Sequence, residues 1–292
     1  MDILIIQILN SFFYASVLFL IAAGLSLIFG VMGIINMAHG SLYALGAYVT
    51  AWVITAVPGD LPFVVLLLLL PVGAVAVALV GLVIEPTLIR PLYKRPEEYQ
   101  LLITFALLLV LEDIMHLVFG GIPLTAGAVI DRMGSFPIFD LIYPTYNLLV
   151  IAVGALAALC LWAFIYRTKF GVILRAASQD MRMASALGVN IKRVYVQAFG
   201  IGCFLAGLGG AIVVPSQAAV LGMGIDNLIL AFVVVVIGGL GSLRGALIGA
   251  LVVSFMRTFM VQFFPELELA VLYLIAAGVL LVRPTGLFGK PA

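Results

Sequence analysis

Apolar stretches long enough to cross a bilayer recur along this chain, and no water-soluble fold of its size could bury them all. They run over residues 3–30, 37–57, 62–84, 100–121, 145–166, 194–214, 228–237, 245–264 and 270–282. With about 1.5 Å of rise per helical residue and a hydrocarbon core about 30 Å thick, about 20 apolar residues make one crossing. The stretch 228–237 is too short to cross as a regular helix. A mean hydropathy of +1.32, with 65% hydrophobic and 9% charged residues, excludes an ordinary soluble domain. The expectation is an all-α polytopic membrane protein, a single transmembrane domain over residues 1–292 surrounded by lipid, with about nine transmembrane segments. Asp2 and the apolar run behind it, without a positively charged leader, read as a retained first helix and not a cleaved signal peptide. Cys160 and Cys203 lie inside apolar spans, so no disulfide framework is indicated. A net charge of +1 with no basic tail gives no reason to expect a nucleic-acid partner.

The charges orient the spans. Basic residues cluster at Arg90, Lys94 and Arg95, between Arg167 and Arg193, and at Arg283 with Lys290. The opposite loops hold Asp60, Asp131, Asp140, Asp226, Glu266 and Glu268, with Arg132 as their one base. Basic loops stay cytoplasmic, which predicts an outer N-terminus and an inner C-terminus. Tyr93, Tyr99, Tyr143, Tyr146, Trp162 and Tyr166 fall near span ends, where interfacial aromatics anchor.

The loop at 167–193 holds six of the chain's fourteen Lys and Arg residues. Within it, Ser178 can cap a helix of about two turns with Asp180 in its first turn, and Gly188 can end it in a left-handed turn. Exposed Met181, Met183 and Leu187 on such a helix suit docking into a groove of another protein. A solvated loop that only fixes orientation would carry the same charge.

Two glycine-marked breaks interrupt the spans, GVMGIINMAHGS at 30–41 and GGLGSLRG at 238–245. Irregular backbone at membrane depth survives only when buried in protein or lining a cavity, as in the broken helices of transporters; each break could equally be a tight turn at the surface. GGLGSLRG lacks the Gly-Lys-Ser/Thr ending of a phosphate loop. In the fourth span, Glu112 sits roughly 18 Å from the cytoplasmic edge, beside Asp113 and on one face with His116. Arg257 lies equally deep in a span of the same direction. Intramembrane charges need partners, so either Glu112 or Asp113 pairs with Arg257 and locks two helices, or the acids line a substrate path. Asn36, His39 and Ser41 from the first break, with Glu112, Asp113 and Gln217, are the path candidates. For Gln217, opposite Asp226 and Asn227, a plain outer loop is the alternative. Nothing in the sequence supplies a nucleophile–base pair, a cofactor fingerprint or metal-ligand spacing, since His39 and His116 are too few for a metal cluster. Catalytic chemistry, cofactor and metal are therefore not expected.

Five stretches together resemble the branched-chain amino acid ABC permeases of the LivH type. Gly33, Asn36, Ala38, His39, Gly40, Gly46, Ala47 and Tyr48 follow that family's Asn-x-Ala-His-Gly…Gly-Ala-Tyr segment. The loop GVILRAASQD…ALGVN, through Arg175, Asp180, Gly188, Val189 and Asn190, is similar to its cytoplasmic coupling loop. FLAGLGGAI from Phe204 and GGLGSLRGALIGA resemble its next two motifs. Arg283, Pro284, Thr285, Gly286, Leu287, Phe288 and Gly289 resemble its ending. The resemblance implies an inner-membrane subunit of a bacterial importer, paired with a second related permease subunit, two cytoplasmic ATPases and a periplasmic substrate-binding protein. ATP hydrolysis would reside in the ATPases, so this chain would not itself be an enzyme. Glu112 and Asp113 stand where relatives commonly carry Gln-Asn, which leaves branched-chain or related hydrophobic amino acids beside urea, short amides or aromatic acids as cargo. An ion-coupled secondary transporter with Glu112 and Asp113 as proton sites is the competing class. It would transport when expressed alone, and an importer permease would not. A scaffold without a pathway is the third, and the broken helices argue against it.

Overall fold

The computed structural model describes residues 2–57, 61–138, 141–283 and 285–289. Asp60, Asp140, Pro284 and Lys290, which entered the readings above, lie outside the described residues. The first half of the chain forms α1 (Asp2–Met32), α2 (His39–Ala56), α3 (Phe63–Leu69), α4 (Val72–Ile84), α5 (Glu97–Phe119) and α6 (Ala128–Met133). An antiparallel hairpin of β1 (Ser135–Ile138) and β2 (Leu141–Pro144) follows. Then come α7 (Thr145–Arg167), α8 (Lys169–Gln179), α9 (Met181–Ala186), α10 (Ile191–Val213), α11 (Met223–Gly238), α12 (Leu243–Phe263) and α13 (Glu268–Val282). Seven helical segments among the described residues are long and apolar enough to cross a membrane. The chain is therefore a mostly helical, polytopic membrane protein.

Two helices form the core. The most apolar window of α1 is 78% buried and that of α10 is 72%, against 11% for the segment holding α13. Small residues explain why α10 can be central. Gly207, Gly209 and Gly210 let it approach α2 and α4 closely, the way small residues let membrane helices pack backbone to backbone. Around this pair α2, α4, α11 and α12 form an inner ring, and α5, α7 and α13 an outer one.

The span expected over residues 62–84 is broken by Pro71, which has no N–H to donate and crowds the preceding turn. It then runs on past Ile84 through a π-helical turn, Glu85–Ile89, and a 3₁₀ turn, Arg90–Leu92. The short stretch at 228–237 starts earlier, at Met223, because Asp226 in the first turn favours a helix N-terminus. Tyr143 and Tyr146 are not interfacial anchors. Both are buried, and Tyr146 donates from its hydroxyl to the Ile212 carbonyl at 2.8 Å.

The connecting loops gather at opposite ends of the bundle. At one end, Leu124 and Ala219 exchange both backbone hydrogen bonds and tie the loop before α6 to the loop before α11. At the other end, Gly30 packs on Gly241, and the C-terminal segment docks on α11 by bonds from Leu287 N–H to Ile237 O and Phe288 N–H to Gly238 O.

Candidate translocation and coupling sites

The first glycine break is real and buried. Backbone between Gly33 and Ala38 leaves the helix, with Gly33 at a φ of +68°. The side chain of Asn36 holds the bend by accepting from Ala38 N–H at 3.1 Å, and Thr104 on α5 donates to Ile35 O at 3.4 Å. His39 contacts the Ile21 carbonyl through Nε2 at 3.1 Å; a carbonyl can only accept, so that nitrogen carries the proton. Asn36 and His39 are fully buried and face neither lipid nor bulk water. Asn36 thus braces the bend itself, and His39 stitches the start of α2 to α1. Asn36→Leu is therefore expected to leave Ala38 N–H unpaired and cost roughly 1–3 kcal/mol, read as a lower unfolding temperature in detergent. An unchanged unfolding temperature would contradict this role.

Ser41, one turn along, meets the acid predicted to share its path. Its hydroxyl lies 3.4 Å from Glu112 Oε1, and Glu112 Oε2 accepts from Gly222 N–H at 3.2 Å. Glu112 thus bridges α2, α5 and the loop before α11. Asp113 and His116 point out of the bundle and are exposed.

Arg257 joins neither acid of α5. Its Nε donates to Glu268 Oε1 at 2.5 Å, and its guanidinium lies 5.3 Å from the centre of the Tyr14 ring. Matched depth misled the sequence reading because depth does not specify neighbours. Helix α12 packs on α1, α11 and α13, and α5 packs on α2.

Among the pockets of the described residues, one at each end of the bundle reaches toward the core. A larger one of about 340 Å³, at the end of the bundle that holds the loop before α11, is lined by Tyr14, Tyr43, Gln217, Asp226, Asn227 and Arg257 among others. Gln217 was singled out from sequence, and its Nε2 lies 3.4 Å from Tyr14 Oη. Tyr14 and Tyr43 were not. No sequence signal set them apart, because Phe12, Phe13, Tyr48 and Trp52 are further aromatic rings in the same two spans. A smaller cavity of about 150 Å³ at the opposite end lies between α1, the end of α7, α8 and Gly241.

The basic loop covers that second end with two helices where one was predicted. Thr168, not singled out from sequence, caps α8 by accepting from Gly171 N–H at 3.0 Å. Gly171, Leu174 and Ala177 make one buried stripe at helical spacing. Ser178 is not a cap: it sits inside α8 and donates to Arg175 O. Asp180 caps α9 instead, accepting from Met183 N–H at 2.9 Å. A cap residue needs extended backbone, which Asp180 has at φ −148° and ψ 96° and a residue within α8 lacks. Gly188, at a φ of +87°, ends α9 as expected. Val189 N–H reaches Ala184 O at 3.1 Å and Gly188 N–H reaches Ser185 O at 3.0 Å, the paired bonds of a Schellman turn. Asn190 then caps α10 from its side chain to Arg193 N–H. Arg175 turns inward, donating to Ile165 O and lying over the Tyr166 ring at 5.0 Å, so it pins α8 to α7. Met181, Met183 and Leu187 remain exposed, Leu187 at 78%.

Curated permease proteins are similar to this chain in sequence. A family model described as branched-chain amino acid transport system / permease component matches residues 7–280. The high-affinity branched-chain amino acid transport system permease protein LivH of Escherichia coli is 29% identical over 98% of this chain and 95% of its own length. BraD of Pseudomonas aeruginosa, a permease protein of the same description, is 30% identical over 98% of this chain and 95% of its own length. The probable LivH of Methanocaldococcus jannaschii is 26% identical over 94% of this chain and 90% of its own. With a polytopic helical fold and a match along nearly all of its length, the chain belongs to the family of branched-chain amino acid transport permeases.

Proposed function

We propose that this chain is one membrane subunit of an ATP-driven importer for branched-chain or related hydrophobic amino acids, in a bacterial inner membrane. It forms a single permease domain of nine crossings, α2 and α11 included, with the N-terminus outside and the loop at 167–193 in the cytoplasm. A second related permease, two cytoplasmic ATPases and a periplasmic substrate-binding protein complete the assembly. The observation that carries the reading is α9: a short helix capped at both ends that leaves Met181, Met183 and Leu187 in solvent. Exposed apolar side chains on a rigid element beyond the membrane suit a groove on a soluble partner. Arg175 ties α8 to α7, and Asn190 starts α10, so a push on α9 reaches two spans directly.

Gly188→Val tests this. A β-branched residue is strained at positive φ, so the turn that orients α9 should deform while membrane insertion is kept. The expected outcome is weaker co-purification of the ATPases and loss of transport-linked ATP hydrolysis. Normal values for both would overturn the coupling role. Expression without partners, under a proton gradient, should give no uptake; uptake there would favour the ion-coupled alternative.

A further inference from the structure

Arg257 is a cation two-thirds of the way along an apolar helix, a costly position that calls for a partner and often marks a pathway. Its partner uses little of it. Only Nε engages Glu268, so among the described residues the two Nη groups make no hydrogen bond, and Arg257 lines the larger cavity. Asp226 lines the same space from the first turn of α11 and has no ion-pair partner among the described residues. The rest of the lining is mixed: Val17, Leu18, Val213 and Leu230 offer aliphatic surface, while Tyr14, Tyr43, Gln217 and Asn227 add polar groups. At about 340 Å³ the space lies within the size range of small-molecule sites.

We propose that this cavity is a substrate site for a zwitterionic amino acid with an aliphatic side chain. Its carboxylate would take the free Nη face of Arg257 in competition with Glu268, and its ammonium would face Asp226. A planar guanidinium suits a carboxylate because it can give two parallel hydrogen bonds. Glu268 opens α13, and occupancy therefore loosens the α12–α13 contact; a ligand that prefers the loosened state shifts the helices toward it. The substrate class rests on the importer reading above.

The test uses the assembled complex in membrane vesicles, with Cys160→Ala as background and Val220→Cys at the cavity wall, labelled by a membrane-impermeant maleimide. L-leucine should slow labelling, and so should 4-methylpentanoate, which keeps the carboxylate but lacks the ammonium. Leucinamide, which lacks the carboxylate, should not. Glu268→Gln removes the competing carboxylate and should lower the leucine concentration for half-protection by about tenfold, the size of one charge-assisted hydrogen bond. Arg257→Gln should raise it by about tenfold or more on the same scale. The double variant restores a neutral pair of similar shape, and should assemble yet stay unprotected, which separates lost binding from lost folding. An ion pair with only a structural role would make the two single variants behave alike. That result, protection by leucinamide equal to that by leucine, a protected double variant, or no protection by any probe would overturn the proposal. ATP-dependent leucine uptake by the same vesicles reads the importer assignment separately: uptake without protection removes the site and keeps the importer, and protection without uptake does the reverse.

Discussion

Gly210→Leu is expected to abolish accumulation of the folded subunit. A Cβ at Gly210 would stand 2.0 Å from the Tyr43 carbonyl oxygen and 2.9 Å from the Ala47 nitrogen, both backbone atoms of α2. The neighbouring contact is as tight, since a Cβ at Gly46 would meet Gly207 O at 2.4 Å. Side chains can swing away from an intruder, but two helical backbones can only separate. Separation would open the packing of α10 on α1 and α4 as well, because α10 is central. Interiors are packed too densely to absorb such a shift, and the loss should exceed about 4 kcal/mol, beyond the usual range for one substitution. Gly278→Ala in α13 is the control. No atom lies within 4 Å of its added Cβ, and the change should be neutral or stabilise by up to about 1 kcal/mol through helix propensity. The check is the yield of monodisperse protein in detergent and its unfolding temperature. A Gly210→Leu protein that melts with the parent would show that α2 and α10 are not in backbone contact.

Arg90→Leu should produce the next largest loss. Glu85 sits at the start of the π-helical turn with its carboxylate fully buried. Arg90 closes on it in a fork, Nη2 to Oε2 at 2.7 Å and Nε to Oε1 at 3.3 Å, and the Tyr93 hydroxyl donates to Oε1. Burial, and after it the bond to Glu85, pushes the Tyr93 hydroxyl well above its ordinary range, so Tyr93 stays a donor. Removing the guanidinium strands a charge away from water, at a cost of roughly 3–5 kcal/mol. Because Arg90 itself is 32% exposed, water can reach part of the gap and the lower end applies. Adding Glu85→Gln should recover most of the loss, since the stranded charge is then gone. Purely additive unfolding shifts in this double-mutant cycle would dismiss the pair as an anchor of the C-terminal end of α4.

What could be read from sequence was local. A crossing needs about 20 apolar residues in a row, so the long spans were legible almost to their ends. The turn at Gly188 was legible because a glycine free to take positive φ, polar cap candidates and three apolar residues all fall within a dozen residues. Even there, choosing Asp180 over Ser178 as the cap required the backbone angles. The bend at Asn36 was marked by its glycines, but the rule that freed backbone groups in a membrane need protein around them left a surface turn equally open until the helices were placed.

What could not be read was adjacency. Glu268 is eleven residues from Arg257 and looked like one more acid of an outer loop, while Glu112 matched it in depth. Depth counts residues along one axis. Partnership depends on which helices touch sideways, and that was set by the glycines of α10, which draw α2 and α4 inward; α5 then packs on α2, while α12 packs on α1, α11 and α13. Tyr143 and Tyr146 illustrate the same limit: a tyrosine at a span end serves equally as lipid anchor or core residue until the neighbouring helix is placed. The apolar run thus settles that a segment crosses, whereas only close packing among the segments settles which polar groups meet, because burial compels each of them to find a partner but does not say which.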